Sequence, residues 1–289
     1  MNPPPAPELD PQLDRDYDAR GSVASFEDEY AALVALSEAA RRDIPVLRDL
    51  VFDPASGMAL DLYGAAPGRP VMLWIHGGYW RAGNKADNGF AAPGLAAHGV
   101  AVAVMDYSLS PDAPLAEIVR QVRQAVIWLA QNGAAQGLDT RRIHVGGSSA
   151  GGHLAAMTLP TGWQTEAGLE AGRLGAVLAL SGLYDLEPLL RTKVNGWLGL
   201  TAEDARELSP IHHLPAASGA PIVLSVGGQE TGAFRDQTAR FEAALAAAGH
   251  DVRPVAMPGH NHFDITGTLA DPDGALTRAM VAAIREIKP

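Results

Sequence analysis

Apolar residues in this chain fall into two kinds of run, and their alternation predicts the architecture. Residues 71–75, 100–105, 176–180 and 222–226 are short and apolar at nearly every position, as strands buried on both faces are. Between them the apolar positions space out. Over residues 115–129, Ile118, Val119, Val122, Val126 and Leu129 recur at the helical interval, which predicts an amphipathic helix. Further helices are predicted at about 26–42, carrying Tyr30, Leu33, Val34 and Leu36, and at about 90–97. A helix bearing Phe234, Phe241 and Leu245 precedes a last apolar run at 252–257, and a final helix covers about 274–287. Residues 143–145 run into Gly146-Gly147-Ser148-Ser149, after which small residues continue as a helix to Leu159. Upstream, residues 46–52 and 58–63 flank Asp53-Pro54-Ala55-Ser56-Gly57, turn chemistry that predicts a β-hairpin.

Apolar strands alternating with helices predict an α/β fold. Its sheet is mainly parallel, with helices on both faces and the hairpin supplying antiparallel strands at one edge. Sheets of this kind present reactive groups at the carboxyl ends of their strands. A single domain over residues 1–289 is expected, with the Pro- and Asp-rich residues 1–16 poorly ordered or draped over the surface.

Composition then narrows the function. Acidic side chains number 33 against 22 basic ones, for a formal charge of −11. No run of Lys or Arg offsets that field, which argues against nucleic acid as a partner. The absence of cysteine excludes disulfides, thiolate catalysis and Cys-bound zinc. The opening Met1-Asn2-Pro3-Pro4-Pro5 has neither the basic nor the apolar segment of a secretory leader. No apolar run approaches the length of a membrane span, so a soluble cytoplasmic protein is expected.

Against that background one pentapeptide stands out. Gly147-Ser148-Ser149-Ala150-Gly151 is a G-x-S-x-G sequence between a predicted strand and a predicted helix, the setting of a nucleophile elbow. Its turn is so tight that the flanking positions must be small. Ser149 would then stand at the positive N-terminus of the following helix. Ser148 competes for the role, but its own frame closes on Ala150 instead of glycine. On the pentapeptide alone, a chance Gly-rich turn stays open.

Other strand ends supply partners. His76-Gly77-Gly78-Tyr79-Trp80 follows the strand at 71–75, where a glycine pair lets backbone amides turn toward a reacting oxygen. An oxyanion needs such fixed N–H donors, and the amides of Gly78, Tyr79 and Ala150 are assigned to it. His76 is read as a brace for this loop. Tyr79, Trp80 and Tyr184 are candidates for a substrate-binding wall, with core packing as the plain alternative. Late in the chain, Gly259-His260-Asn261-His262-Phe263 offers a general base, with His262 preferred and His260 its rival. Glu230, just past the strand at 222–226, is placed to orient that histidine. Asp185 is the alternative acid, and Asp236 falls too far into the next helix. His212 and His213 are adjacent and diverge, and no zinc, dinucleotide or P-loop fingerprint occurs. Neither a metal nor a cofactor is expected.

Taken together, these segments resemble the kynurenine formamidase (arylformamidase) group of α/β-hydrolases. The likeness rests on His76-Gly77-Gly78-Tyr79-Trp80, on Gly147-Ser148-Ser149-Ala150-Gly151-Gly152-His153-Leu154 and on Ser181-Gly182-Leu183-Tyr184-Asp185-Leu186-Glu187-Pro188-Leu189. Tyr17-Asp18-Ala19-Arg20, Leu208-Ser209-Pro210, Phe234-Arg235-Asp236-Gln237 and His262-Phe263-Asp264-Ile265 extend it over nearly the whole chain. The resemblance implies an α/β-hydrolase fold with a small lid, from about 17–42 and 186–213. It also implies a cofactor-free enzyme that hydrolyses N-formylkynurenine to kynurenine and formate, with a triad of Ser149, Glu230 and His262. The acid of that group is usually Asp, and Glu230 departs from it by one methylene. Short-chain carboxylesterases are relatives of the group, so the substrate does not follow from the fold. A non-catalytic binding protein on the same scaffold is the reading from outside the enzyme class. The expected partner is a small-molecule ester or formamide, neither nucleic acid nor membrane, and a homodimer is left open.

Overall fold

A computed structural model describes residues 8–170, 172–217 and 219–287. Eight strands form one sheet in the order β1-β2-β4-β3-β5-β6-β7-β8. They are β1 (Val46–Asp53), β2 (Met58–Tyr63), β3 (Arg69–Ile75), β4 (Ala101–Met105), β5 (Leu138–Ser148), β6 (Leu174–Leu180), β7 (Ile222–Ser225) and β8 (Val252–Pro254). β1 and β2 pair antiparallel, β2 runs antiparallel to β4, and every remaining neighbour is parallel. This is the sheet that the apolar runs predict, antiparallel edge included. It is an α/β-hydrolase sheet.

The two-residue period of the strands divides the core in two. Val71, Leu73 and Ile75 of β3, with Ala101, Ala103 and Met105 of β4, point to one face. Met72, Trp74, Val102 and Val104 point to the other. Because both faces are buried, each strand reads as a continuous apolar run. Helices cover each face with a stripe. Leu115–Asn132 buries Leu115, Ile118, Val119, Val122, Val126 and Leu129 on the first face. Ala275–Glu286 buries Leu276, Met280, Val281 and Ile284 on the second. Truncating a fully buried residue such as Leu73 to Ala costs about 2–5 kcal/mol, through lost transfer energy and the cavity left behind.

Helix Phe26–Asp43 begins where the Ser25 hydroxyl accepts from the Asp28 amide. Glu27, Asp28 and Glu29 lie in its first turn and Arg41 and Arg42 in its last, signs that suit the helix dipole. The stretch expected as a helix at about 90–97 is split into a 3-10 turn (Lys85–Ala91) and a short helix (Ala92–Ala97). Asn84 caps that turn through the Asp87 amide.

Residues 8–16 lie along the surface, and Pro11–Asp16 is helical with Asp10 accepting from the Gln12 and Leu13 amides. Long-range bonds hold the segment down. The Asp10 amide donates to the Arg191 carbonyl at 2.8 Å, and Asp14 pairs with Lys193 at 2.7 Å. The aspartates that make the segment look solvated are its anchors. Residues 1–7, also expected to be poorly ordered, lie outside the described residues.

Candidate active site

The carboxyl ends of β3 and β5 and the loop after β8 open onto one cavity of about 740 Å³. At the end of β5, Ser149 takes φ +58° and ψ −121°, a conformation that costs about 1–3 kcal/mol and persists only where its surroundings impose it. Two glycines impose it. A Cβ on Gly147 would lie 2.2 Å from the Gly151 carbonyl oxygen, and one on Gly151 would lie 2.0 Å from that of Ile75. Any side chain there would force the strand and helix apart. Helix Ala150–Ala156 starts immediately, so the Ala150 amide has no partner within it.

The loop after β3 closes over this turn. A Cβ on Gly77 would lie 3.2 Å from the Cβ of Ser149, so the two backbones are in near contact. Gly78, Tyr79 and Trp80 all have positive φ. Among the described residues no acceptor takes the Gly78 or Tyr79 amide hydrogen, and both residues line the cavity with Ser149. The structure therefore brings the expected oxyanion donors and the serine to one place. His76 sits beneath the loop, stacked on Tyr107 at 4.1 Å and donating from Nδ1 to the Gly77 carbonyl. Burial lowers its pKa to about 4, so it stays neutral and acts as a prop.

Glu230 and His262 form a buried pair. Glu230 Oε2 lies 2.6 Å from His262 Nδ1. A carboxylate can only accept, which puts the proton on Nδ1 and leaves Nε2 free to take one. The other oxygen, Oε1, accepts from the Ser181 hydroxyl at 2.5 Å and the Gly227 amide at 2.7 Å. Burial alone would raise the Glu230 pKa, but the His262 charge and these donors lower it below the usual range. His262 reaches the cavity with Ser149, and the Phe234 ring lies 4.4 Å from its own.

The rival residues go elsewhere. Asp185 is held by Arg240 at 2.7 Å and caps the Glu187 amide. His260 pairs with Asp264, and Asp236 is an exposed partner of Arg240. Trp80 and Tyr184, expected as substrate-binding candidates, are corrected. Both are fully buried and neither lines the cavity. Trp80 packs edge-on against His153, and Tyr184 stacks on Phe241 at 4.1 Å.

Sequence reasoning missed Ser181 and, apart from Tyr79, the aromatic cavity walls. Ser181 stands at the carboxyl end of β6 with φ +47°, and its place at a strand end was the available signal. The aromatic rings lining the cavity are Tyr17, Phe26, Tyr30, Trp74, Tyr79, Phe90, Trp197 and Phe263. Four of these eight come from the two segments expected to form a lid.

Comparison with known proteins agrees with this geometry. The BD-FAE family model matches residues 60–245. A kynurenine formamidase of Danio rerio is 33% identical over 88% of this chain and 87% of its own. A crystal structure titled as a putative thioesterase, from Silicibacter sp. TM1040, superposes with a TM-score of 0.80 at 31% identity, covering 95% of this chain and 99% of that one. The hyperthermophilic esterase of Pyrobaculum calidifontis, at 18% identity and a TM-score of 0.72 over 96% and 98%, shares the fold. A likeness of that degree over nearly the full length of both chains means that this protein is a hydrolase belonging to the kynurenine formamidase family of α/β-hydrolases.

Proposed function

We propose that the protein hydrolyses an aryl formamide such as N-formylkynurenine to the free amine and formate, through an acyl-enzyme on Ser149. His262 Nε2 takes the proton of the Ser149 hydroxyl as its oxygen attacks the formyl carbon. The amides of Gly78, Tyr79 and Ala150 receive the negative oxygen of the tetrahedral intermediate. Collapse breaks the C–N bond, and His262 returns the proton to the departing nitrogen. Water, deprotonated by the same ring, then attacks the formyl ester and releases formate. Glu230 fixes the ring's tautomer and stabilises its charged form.

The observation that carries this reading is the buried Glu230–His262 pair at 2.6 Å opening onto the same cavity as the strained Ser149. The kynurenine formamidase relative supports the choice of substrate. Glu230 fills the role that Asp takes in the group, and backbone and hydroxyl donors on its second oxygen hold the longer side chain in place. The enzyme works in the cytoplasm as one catalytic domain, with residues 17–42 and 186–213 as its lid.

A fluorophosphonate probe should label Ser149, as found by peptide mass spectrometry, and Ser149→Ala should abolish labelling. A wild-type protein left unlabelled would point to a binding protein on a hydrolase scaffold. For the substrate, kcat/KM is expected to fall from N-formylkynurenine to p-nitrophenyl acetate to p-nitrophenyl butyrate. An active enzyme that ignores N-formylkynurenine and takes butyrate as readily as acetate would be a short-chain carboxylesterase instead.

A further inference from the structure

Of Tyr17-Asp18-Ala19-Arg20, the core takes Tyr17 and Ala19, but neither the core nor the triad accounts for Arg20. Tyr17 is buried, its hydroxyl accepting from Gln237 at 2.9 Å and its carbonyl accepting from the Tyr79 hydroxyl. Ala19 is buried as well, and Asp18 accepts from the Gly21 amide. Arg20 is exposed, lines the cavity that holds Ser149 and His262, and stacks over Phe26 with its guanidinium carbon 4.2 Å from the ring centre.

Another arginine repeats the arrangement. Arg81 is exposed and lines the same cavity, with its guanidinium carbon 4.8 Å from the Trp197 ring centre. That ring is itself fixed, its indole N–H donating to the Tyr79 carbonyl at 3.2 Å. Among the described residues neither arginine forms a salt bridge. The acids that share the cavity are largely occupied. Asp14 is neutralised by Lys193, and Asp87 takes the Tyr30 hydroxyl and the Asn84 amide.

A guanidinium held over an aromatic ring by a cation–π contact still has N–H groups to offer. Those groups are the part that matches a carboxylate bidentately. We infer that Arg20 and Arg81 form an anion subsite at the rim of the cavity, which takes a carboxylate borne by the substrate. The enzyme thereby prefers acyl compounds whose leaving group carries an acid. The inference rests on the formamidase reading for the identity of that substrate.

The test is a selectivity ratio: kcat/KM for N-formylkynurenine over kcat/KM for N-formylkynuramine, which lacks only the carboxylate. The wild-type ratio should exceed one by about tenfold or more, the scale of a charge-assisted hydrogen bond. Arg20→Gln and Arg81→Gln should each lower it by about tenfold, and Arg20→Lys should lower it less. Product inhibition of the wild type needs no variant: kynurenine should inhibit about tenfold more strongly than kynuramine. A ratio near one, or one that neither substitution moves, overturns the subsite. Should the wild type turn over neither formamide, the formamidase reading fails separately. The ratio of 4-acetoxybenzoate to phenyl acetate, and its fall in the same variants, then decides the subsite.

Discussion

At the floor of the cavity, position is enforced by backbone. Ser149 is locked by contacts that leave no room for a Cβ at Gly147 or Gly151, and the Gly77 backbone rests against it. At the outer wall, position is enforced by removable side chains. Residues 10–20 are attached through Asp14 to Lys193, through the Tyr17 hydroxyl to Gln237, and through the Asp16 carbonyl to the Thr231 hydroxyl. The floor cannot be adjusted without breaking the elbow, whereas the wall can lose one tie and keep the rest. Chemistry and recognition are therefore separable by substitution.

The largest effect belongs to the floor. Ser149→Ala should lower kcat by about 10⁴-fold or more, because triad members act as a unit, while Ser148→Ala should keep most of it. Single-turnover assays of the two variants decide this, and equal losses would leave the elbow without its distinction. Next comes Glu230→Gln, expected to fold normally and to lose about 10³- to 10⁴-fold in kcat, since the amide can hold the imidazole in the wrong tautomer. Asp185→Asn should instead lower Tm through the loss of Arg240. A dead Asp185→Asn beside an active Glu230→Gln would reverse the assignment.

The third expectation concerns pH and again separates the two regions. His76 and His153 lie beside the floor and His144 in the sheet that carries it, and burial lowers each from 6.5 to about 4. Above pH 6.5 these groups are neutral in both folded and unfolded chains. Between 6.5 and 4 the unfolded chain binds protons that the folded one refuses, so stability falls as pH drops. The upper bound is about 3 kcal/mol per ring. The wall's Asp14 is also lowered, but in favour of its charged form: burial raises its pKa, but Lys193 more than offsets that, and the net value lies below 3.8. Its ion pair survives over the same window. Thermal unfolding followed from pH 7 to 4 should show the decline, and a flat Tm would refute it. The smallest effect is Asp14→Asn. The pair is partly exposed and worth about 0–1 kcal/mol, so Tm should barely move. KM for the preferred substrate should rise about two- to threefold in steady-state assays, and a change in kcat alone would place this contact with the floor.

The floor was also the more legible half in sequence. Its strands are apolar on both faces, and its glycines, Ser149, Glu230 and His262 all sit at strand ends, where spacing along the chain reports position in space. Ser181 follows the same rule yet escaped notice, because a lone hydroxyl carries no pattern. The wall was hidden for a physical reason. The contacts of residues 10–20 lie with residues 79, 191–193 and 231–237, so nothing local distinguishes a tethered segment from a loose one. Trp80 and Tyr184 were misplaced for a related reason. A ring beside a catalytic loop serves core and cavity equally well on paper, and only the neighbour across the gap decides.

Those long tethers bear on how the protein is made. The Asp16–Thr231 bond spans 215 residues and the Tyr17–Gln237 bond spans 220. At about 5–20 residues per second, a ribosome needs roughly 10–40 s to supply the far partner after the near one. The first part of the wall to be synthesised thus waits until β7 and the helix after it have emerged, and β8, His262 and the last core helix follow later still. Hydrolytic activity toward its preferred substrate should appear only at the end of synthesis, once both the wall and His262 are in place.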